Sequence, residues 1–517
     1  MLAIDIRPPW KAALFGLAIA AVAGRDGGRP APAPSDGDPV VLSCSPSLDR
    51  VGPLLRATAH RPPVHVHVKL RAGAASAAAA AAAAASGAAA GAGAPAGSAA
   101  AGTVPVQPGA GVAALAPLAG QIEAMFAPLP SSTDDRARWL RVRADGPAAA
   151  SRLALALAAD PAIEQAFVEP AISLPSQGRV SASLDGAPPA LAPPDDESCP
   201  ISTPSFESYQ GYLGPAPHGI DAPAAWRRGF RGAGVWFADI EGGWNAAHED
   251  LPGDRITHVS GRPIRDPSWR AHGTAVLGEV VGRDNGKGVV GIAPDVERIL
   301  TSSIGDQSVA AAIDAAARQL RPGDVLLIEL QGAGPRGRYL PVEYWDDIYD
   351  AIHAATTRGV VVIEAAGNGG EDLDHSAYRG KLSRAGRDSG AIFVGAGAPP
   401  RAGFDDRARL DFSNYGSRVD VQGWGRKVAT LDYGDLQACD DPTRDRHYTG
   451  EFAGTSSASP IVAGAAVLLE GIARSRNTII APAALRDLLR RTGTPQAGDA
   501  HQPIGPRPDL ERAIRAL

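Results

Sequence analysis

Beyond about residue 200 the chain alternates short apolar runs with helical stretches, and this alternation restricts its fold more than any other feature. The runs 235–238, 298–303, 325–330 and 360–366 have the length of buried strands, while 310–320 and 342–357 carry apolar residues at helical spacing. Strands that are apolar on both faces and separated by helices pair in parallel, through right-handed crossovers. The expected class is therefore α/β, a doubly wound parallel sheet spanning residues 200–517. Chemistry in such sheets collects beyond the carboxyl ends of the strands, so the residues closing each run are the ones to inspect.

A smaller unit precedes this sheet. Val64-His65-Val66-His67-Val68 alternates like a strand, 111–126 has helical spacing, 139–143 and 163–168 read as further strands, and 148–158 reads as a helix. The order β, α, β, α, β predicts a small α+β domain over 56–175, ferredoxin-like, with helices on one face of an antiparallel sheet. Within it, 72–102 is nearly all Ala, Gly and Ser, with nine consecutive alanines from Ala77 to Ala85, too uniform to specify a core. Residues 24–55 read as a disordered segment and 176–199 as a linker. At the front, Arg7 and Lys11 precede the apolar run 12–23, which ends in Ala21-Val22-Ala23, so 1–23 reads as a secretory signal and the protein as secreted, extracellular or periplasmic. No other run is expected to supply the ~20 apolar residues of a membrane span, hence no stable membrane anchor.

Length and charge narrow the classes further. The 517 residues exceed what one core organises, in line with more than one unit. A formal net charge of −6 leaves no basic footprint for nucleic acid. Cys44, Cys199 and Cys439 lack the short spacings of zinc or redox sites, and three cysteines allow one bridge at most.

Four polar residues stand at informative places. Asp239 closes the run 235–238, where a buried acid orients a histidine. His272 opens a small-residue stretch, Gly273-Thr274-Ala275, suited to a helix packed closely on the sheet. Asn368 follows the run 360–366, where a side-chain amide donates to an oxyanion or, equally in keeping with Asn-Gly, makes a turn. Ser456 lies in Gly454-Thr455-Ser456-Ser457-Ala458-Ser459-Pro460; a helix starting there places it at an amino end, which favours developing negative charge.

In their order and local sequence these segments resemble the subtilisin-like serine peptidases of the S8 family, over about residues 205–517. The resemblance rests on the Gly454 to Pro460 block, His272-Gly273-Thr274 and Ala365-Ala366-Gly367-Asn368. It implies a serine endopeptidase with Ser456 as nucleophile, His272 as general base and then acid, Asp239 as orienting carboxylate and Asn368 as oxyanion donor. It further implies that the first domain is a propeptide that aids folding and acts as an intramolecular inhibitor, removed by self-cleavage between about Pro170 and Cys199. Partners are then protein or peptide substrates, and the enzyme is expected to be a monomer. The order Asp, His, Ser is not that of an α/β-hydrolase esterase, and the glycines at 232–234 and 288–291 do not make a dinucleotide-binding GxGxxG.

The chain also departs from its family. Asp239-Ile240-Glu241-Gly242 replaces the usual Asp-Ser/Thr-Gly, with Glu241 the second choice for the acid. Glu329, Leu330, Gln331 and Gly332 stand where the family has Ser-Leu-Gly-Gly pairing with the substrate backbone; by the resemblance they are substrate-binding, and Glu329 is open to facing either a basic substrate group or solvent. The link 305–308 is short where relatives build a second substrate-flanking strand. Ser457 replaces a frequent methionine, which predicts tolerance of peroxide. Cys199 and Cys439 are expected to pair. No cofactor is required; many relatives bind calcium, but Asp250, Asp254, Asp284 and Asn285 make no recognisable ligand array, and no metal residue is assigned.

Overall fold

The computed structural model describes residues 64–72, 112–126, 134–174, 200–439 and 442–517. The signal, the 24–55 segment, nearly all of the alanine-rich tract and the 176–199 linker lie outside the described residues.

The first domain is a four-stranded antiparallel sheet in the order β2-β3-β1-β4, formed by β1 (Val64–Leu70), β2 (Ile122–Ala124), β3 (Trp139–Ala144) and β4 (Ile163–Val168), with helix α1 (Pro147–Ala158) against it. This is the ferredoxin-like strand order. The stretch 111–126 is not the α-helix its spacing suggests. It is a 3-10 segment, Ala113–Gln121, followed by the short strand β2. Pro117 lies inside that segment, and without an N–H it cannot support a regular α-helix. The Val/His alternation of β1 divides its two faces: Val66 and Val68 enter the domain's own core with Leu157 and Ile163, while His65, His67 and Lys69 point the other way.

The second domain is built on a seven-stranded, all-parallel sheet. Its strands are β6 (Trp236–Glu241), β7 (Ile256–Ser260), β8 (Arg298–Ser303), β9 (Val325–Ile328), β12 (Val361–Ala365), β13 (Ile392–Gly397) and β14 (Val421–Trp424), in the order β14-β13-β12-β9-β6-β8-β7. Helices α2 (Pro267–Val281) and α5 (Thr455–Ser475) cover one face, α3 (Val309–Ala317) and α4 (Asp346–Thr357) the other. α5 is long and apolar enough to cross a membrane by length and composition, but its apolar window is wholly buried inside the protein, so it is the core helix of the sheet. The chain leaves the sheet after Ile328, two residues before the apolar run ends, and forms a hairpin of β10 (Gln331–Ala333) and β11 (Tyr339–Pro341). A two-residue strand just after the first domain, β5 (Ile172–Ser173), adds to that hairpin beside β10.

The polar face of the first sheet rests on α3 and α4. Met125, Phe126 and Trp139 join the apolar cluster that holds Ile313, Ile348 and Ile352, and burying a side chain of that size contributes about 1.5–3 kcal/mol. Around them His67 Nδ1 lies 2.9 Å from Asp347, Lys69 Nζ donates to Asp350 at 2.8 Å, the Trp139 indole N–H donates to Asp350 at 2.8 Å, and Arg136 pairs with Asp314. Buried ion pairs roughly offset their own desolvation, so the apolar patch holds the domains together and the charges set their register.

Burial works against a charge on His67, but Asp347 and then Glu169 more than offset it and raise its pKa from 6.5 to about 9. A raised histidine stabilises the contact fully below pH 6.5 and loses that contribution as pH climbs through about 9. Thermal unfolding of the full chain carrying Ser456→Ala, followed from pH 6 to pH 10, should show this alkaline loss, and adding His67→Gln should flatten it.

Candidate functional site

The polar residues assemble at the carboxyl edge of the sheet. β6 continues three residues past its apolar run, because Ile240 still supplies an apolar side chain to the α3/α4 face while Asp239 and Glu241 point to the α2/α5 face. Glu241, the last residue of β6, is the one beside the histidine: its Oε1 is 2.6 Å from His272 Nδ1, and both side chains are fully buried. Its other oxygen, Oε2, accepts from the Gly242 N–H at 2.9 Å, which anchors the carboxylate.

The assignment of Asp239 as orienting acid is corrected by this geometry. Asp239 lies one β-repeat further into the sheet, where Oδ2 accepts from the Trp244 indole at 2.7 Å. Burial first, and then the charge of Glu241, push its carboxyl well above the usual carboxylate range, with the Trp244 bond opposing them. Burial does the same to Glu279 on α2 and, together with neighbouring acids, to Glu329. Asp239 is turned to the Trp244 indole and Glu241 lies against the imidazole, so Glu241 is the group placed to orient His272.

Two glycines allow the end of β6 to approach α2 closely. A Cβ on Gly273 would lie 2.4 Å from the Gly243 carbonyl oxygen, and one on Gly242 would lie 2.4 Å from the Trp269 ring. α2 starts at Pro267 with Asp266 as its cap, Oδ1 accepting from the Ser268 N–H at 2.9 Å, and this fixes the turn that presents His272. On its other side the His272 ring meets Phe452 edge-on at 5.5 Å, four residues before Ser456, and α2 packs along α5.

Ser456 is in the first turn of α5, as its helix-forming block predicts. Gly454 precedes it at φ 112°, a conformation glycine adopts without strain, and provides no side-chain cap. The cap comes from another strand end: Asn368 Oδ1 accepts from the Thr455 N–H at 2.9 Å and from Thr455 Oγ1 at 3.0 Å. Thr455 Oγ1 in turn accepts from the Gly367 N–H at 3.2 Å. With its oxygen committed to the helix, Asn368 is oriented so that its NH2 is the end that donates, as an oxyanion requires. Asn414, which the sequence reading did not single out, braces this loop by donating to the carbonyls of Ala366 at 2.7 Å and Tyr339 at 2.9 Å and accepting from the Glu371 N–H at 2.9 Å.

The four residues expected to hold substrate part company. Glu329 is fully buried and faces neither substrate nor solvent: Ser459 on α5 donates to its Oε1 at 2.6 Å. Leu330 belongs to the core beside α3 and α4. Both are corrected as substrate-binding side chains, because the alternation of β9, with Leu327 on the α2/α5 face and Ile328 on the α3/α4 face, runs on past the strand and puts Glu329 under α5 and Leu330 into the opposite face. Gln331 and Gly332, in contrast, pair antiparallel with Ser173 and Ile172 of the same chain. Ser457 donates to the Trp424 carbonyl at 2.9 Å. Asp250 accepts from Asn285 and the Val289 N–H, Asp254 pairs with Arg283, and Asp284 with Arg231; among the described residues no group of three or more His, Cys, Asp or Glu is arranged to hold a metal ion.

A hydroxyl at a helix amino end, an imidazole backed by a carboxylate and an oriented amide form the apparatus of acyl transfer. Comparison with known proteins agrees. Residues 253–505 match the model of the subtilase family, peptidase S8, a segment that contains His272, Asn368 and Ser456 and begins after Glu241. The chain is 28% identical over 309 residues to an intracellular serine protease of Paenibacillus polymyxa, covering 56% of this chain and 81% of that protein. It is 29% identical over 281 residues to subtilisin Savinase of Lederbergia lenta (53% and 89%) and to an alkaline protease of Alkalihalobacillus alcalophilus (53% and 63%).

The two acids are separated by experiment. Glu241→Gln should lower kcat/KM on a peptide anilide by on the order of 10³–10⁴, whereas Asp239→Asn, which replaces an already neutral group, should stay within about tenfold. Asn368→Ala should cost about 10²–10³ in kcat with little change in KM. A larger loss from Asp239→Asn than from Glu241→Gln would return the role to Asp239.

Proposed function

Since the chain belongs to the subtilisin-like serine endopeptidases of the S8 family, we propose that it is a secreted enzyme made as a zymogen and processed by itself, using Ser456, His272 and Glu241 as its triad. Ser456 Oγ attacks the substrate carbonyl as His272 takes its proton; Glu241 stabilises the imidazolium, and the Asn368 amide donates to the oxyanion. His272 then protonates the leaving amine, and water releases the acyl group by the reverse sequence.

The observation that carries the zymogen reading is β5. The chain runs from β4 through Glu169, which pairs with His65 and Arg141, and within a few residues lies as a strand on β10. Gln331 Nε2 then donates to the Leu174 carbonyl, and the Asn368 N–H donates to Gln331 Oε1. The carboxyl end of this segment is thus the end nearer Asn368, as for a substrate's acyl side. His272 and Ser456 are fully buried in this chain, in keeping with a cleft that opens when the first domain leaves. The cleaved bond then follows Leu174, before or at Cys199. Cys439 is disulfide-bonded and its Sγ lies 3.9 Å from the Arg446 carbonyl oxygen, while the Arg446 guanidinium donates to the Pro200 carbonyl. This supports Cys199 as its partner, so that the bridge would hold the new amino terminus.

Expression of the full chain with its leader provides the test. Wild type should hydrolyse casein and start between residues 175 and 199, while Ser456→Ala should remain unprocessed and inactive. Equal casein hydrolysis by the two proteins would remove Ser456 as nucleophile, and a mature start before residue 174 would remove β5 as the bound acyl-side segment.

A further inference from the structure

Gln331 stands where the resemblance places a glycine, and its side chain makes two contacts that a glycine lacks. Nε2 donates to the Leu174 carbonyl at 3.0 Å, and Oε1 accepts from the Asn368 N–H at 2.8 Å. The side chain is only 2% exposed, and its backbone pairs with Ser173, the residue before Leu174. Each polar atom of the amide therefore has a partner: the oxygen reads the oxyanion residue and the nitrogen reads the segment in the cleft. A planar amide held at its oxygen has its N–H direction fixed, which makes it a pre-oriented donor rather than a mobile one.

The cleft also depends on this contact more than a two-sided one would. Among the described residues β5 has a single strand neighbour, β10, whose other edge is occupied by β11. The turn at Gly305, where the resemblance places a second substrate-flanking strand, is filled from another direction: a Cβ on Gly305 would lie 2.1 Å from the Arg262 carbonyl oxygen, and Arg262 is tied to Asp306 through its N–H at 2.8 Å and its Nε at 2.7 Å. An extended chain on β10 thus lacks a second strand, and the Gln331 amide supplies a further backbone hydrogen bond from the side chain.

We propose that Gln331 is a substrate-positioning residue that clamps one backbone carbonyl of an extended peptide, the one following the residue paired with its own backbone, and registers it against Asn368. This rests on the reading of Ile172 to Leu174 as a segment bound in the manner of a substrate's acyl side. The clamp recognises a main-chain carbonyl and so predicts selectivity for extended peptides over short esters or single amino-acid amides, independent of side-chain identity at that position.

The test uses mature wild type, Gln331→Met, which keeps the side chain's length without its hydrogen bonds, and Gln331→Glu, which keeps the acceptor for Asn368 but loses the donor. Active-site titration corrects for the fraction of each that matures. The substrates are a tetrapeptide p-nitroanilide and its analogues with each acyl-side carbonyl other than the scissile one in turn replaced by a thiocarbonyl, a weaker acceptor. In wild type, one replacement should lower kcat/KM by about three- to tenfold, the range of a single hydrogen bond. Both variants should show a similar loss on the parent peptide, and at that same position the thiocarbonyl should add no further penalty. If wild type is sensitive at one position and both variants keep that full sensitivity, the clamp is overturned while the cleft reading stands. If wild type is insensitive at every position and gains nothing from the tetrapeptide over a single amino-acid anilide, the cleft reading itself fails and the clamp with it.

Discussion

The approach of Glu241 to His272 is the contact on which the rest of the site depends. It requires the end of β6 and the second turn of α2 to come closer than side chains allow, and Gly242 and Gly273 make room for it. Once that distance is set, α2 lies along α5, and Phe452 and the turn at Gly454 bring Ser456 to the same edge. Asn368 completes the arrangement from the loop after β12 by accepting from the Thr455 N–H, so a single amide both satisfies one of the helix's free donors and takes its own working orientation from it.

The same edge concentrates carboxyl groups that are kept apart by environment. Asp239, Glu279 and Glu329 are buried without a cation, and burial favours their neutral form; Glu241 alone of the four lies against an imidazole. Several ionised acids in one dry space would repel each other strongly, which is why burial biases these three toward the neutral form. Asp239 has its Trp244 bond and Glu329 its Ser459 bond, which tie β6 and β9 to the segments that pack above them.

The first domain contributes through both its faces. Valines on one side of β1 build its own core, and His67 and Lys69 on the other meet Asp347 and Asp350 of α4. The chain then crosses to β10 in a few residues, which places β5 and Leu174 where Gln331 reads them. The docking of the first sheet and the pairing of β5 with β10 are in this way joined by one short connection.

The sequence by itself determined the class of the fold, because runs apolar on both faces leave no alternative to a covered parallel sheet, and it determined Ser456, His272 and Asn368 as candidates, because local blocks of small residues surround them. It also carried the first domain's strands through period-two alternation; β2 escaped because three residues are too few to show a period, and Pro117 altered the helix before it. β7, β13 and β14 were not singled out, since each runs into glycine or polar residues that blur its ends. Only the tertiary structure decided between Asp239 and Glu241. Both lie on the same face of one strand, two residues apart, and which of them meets His272 depends on how far along β6 the helix α2 crosses. Glu329 faces α5 because the period-two alternation of β9 runs on past Ile328, and what only the tertiary structure decided is that Ser459 of α5 closes that face over its carboxyl group.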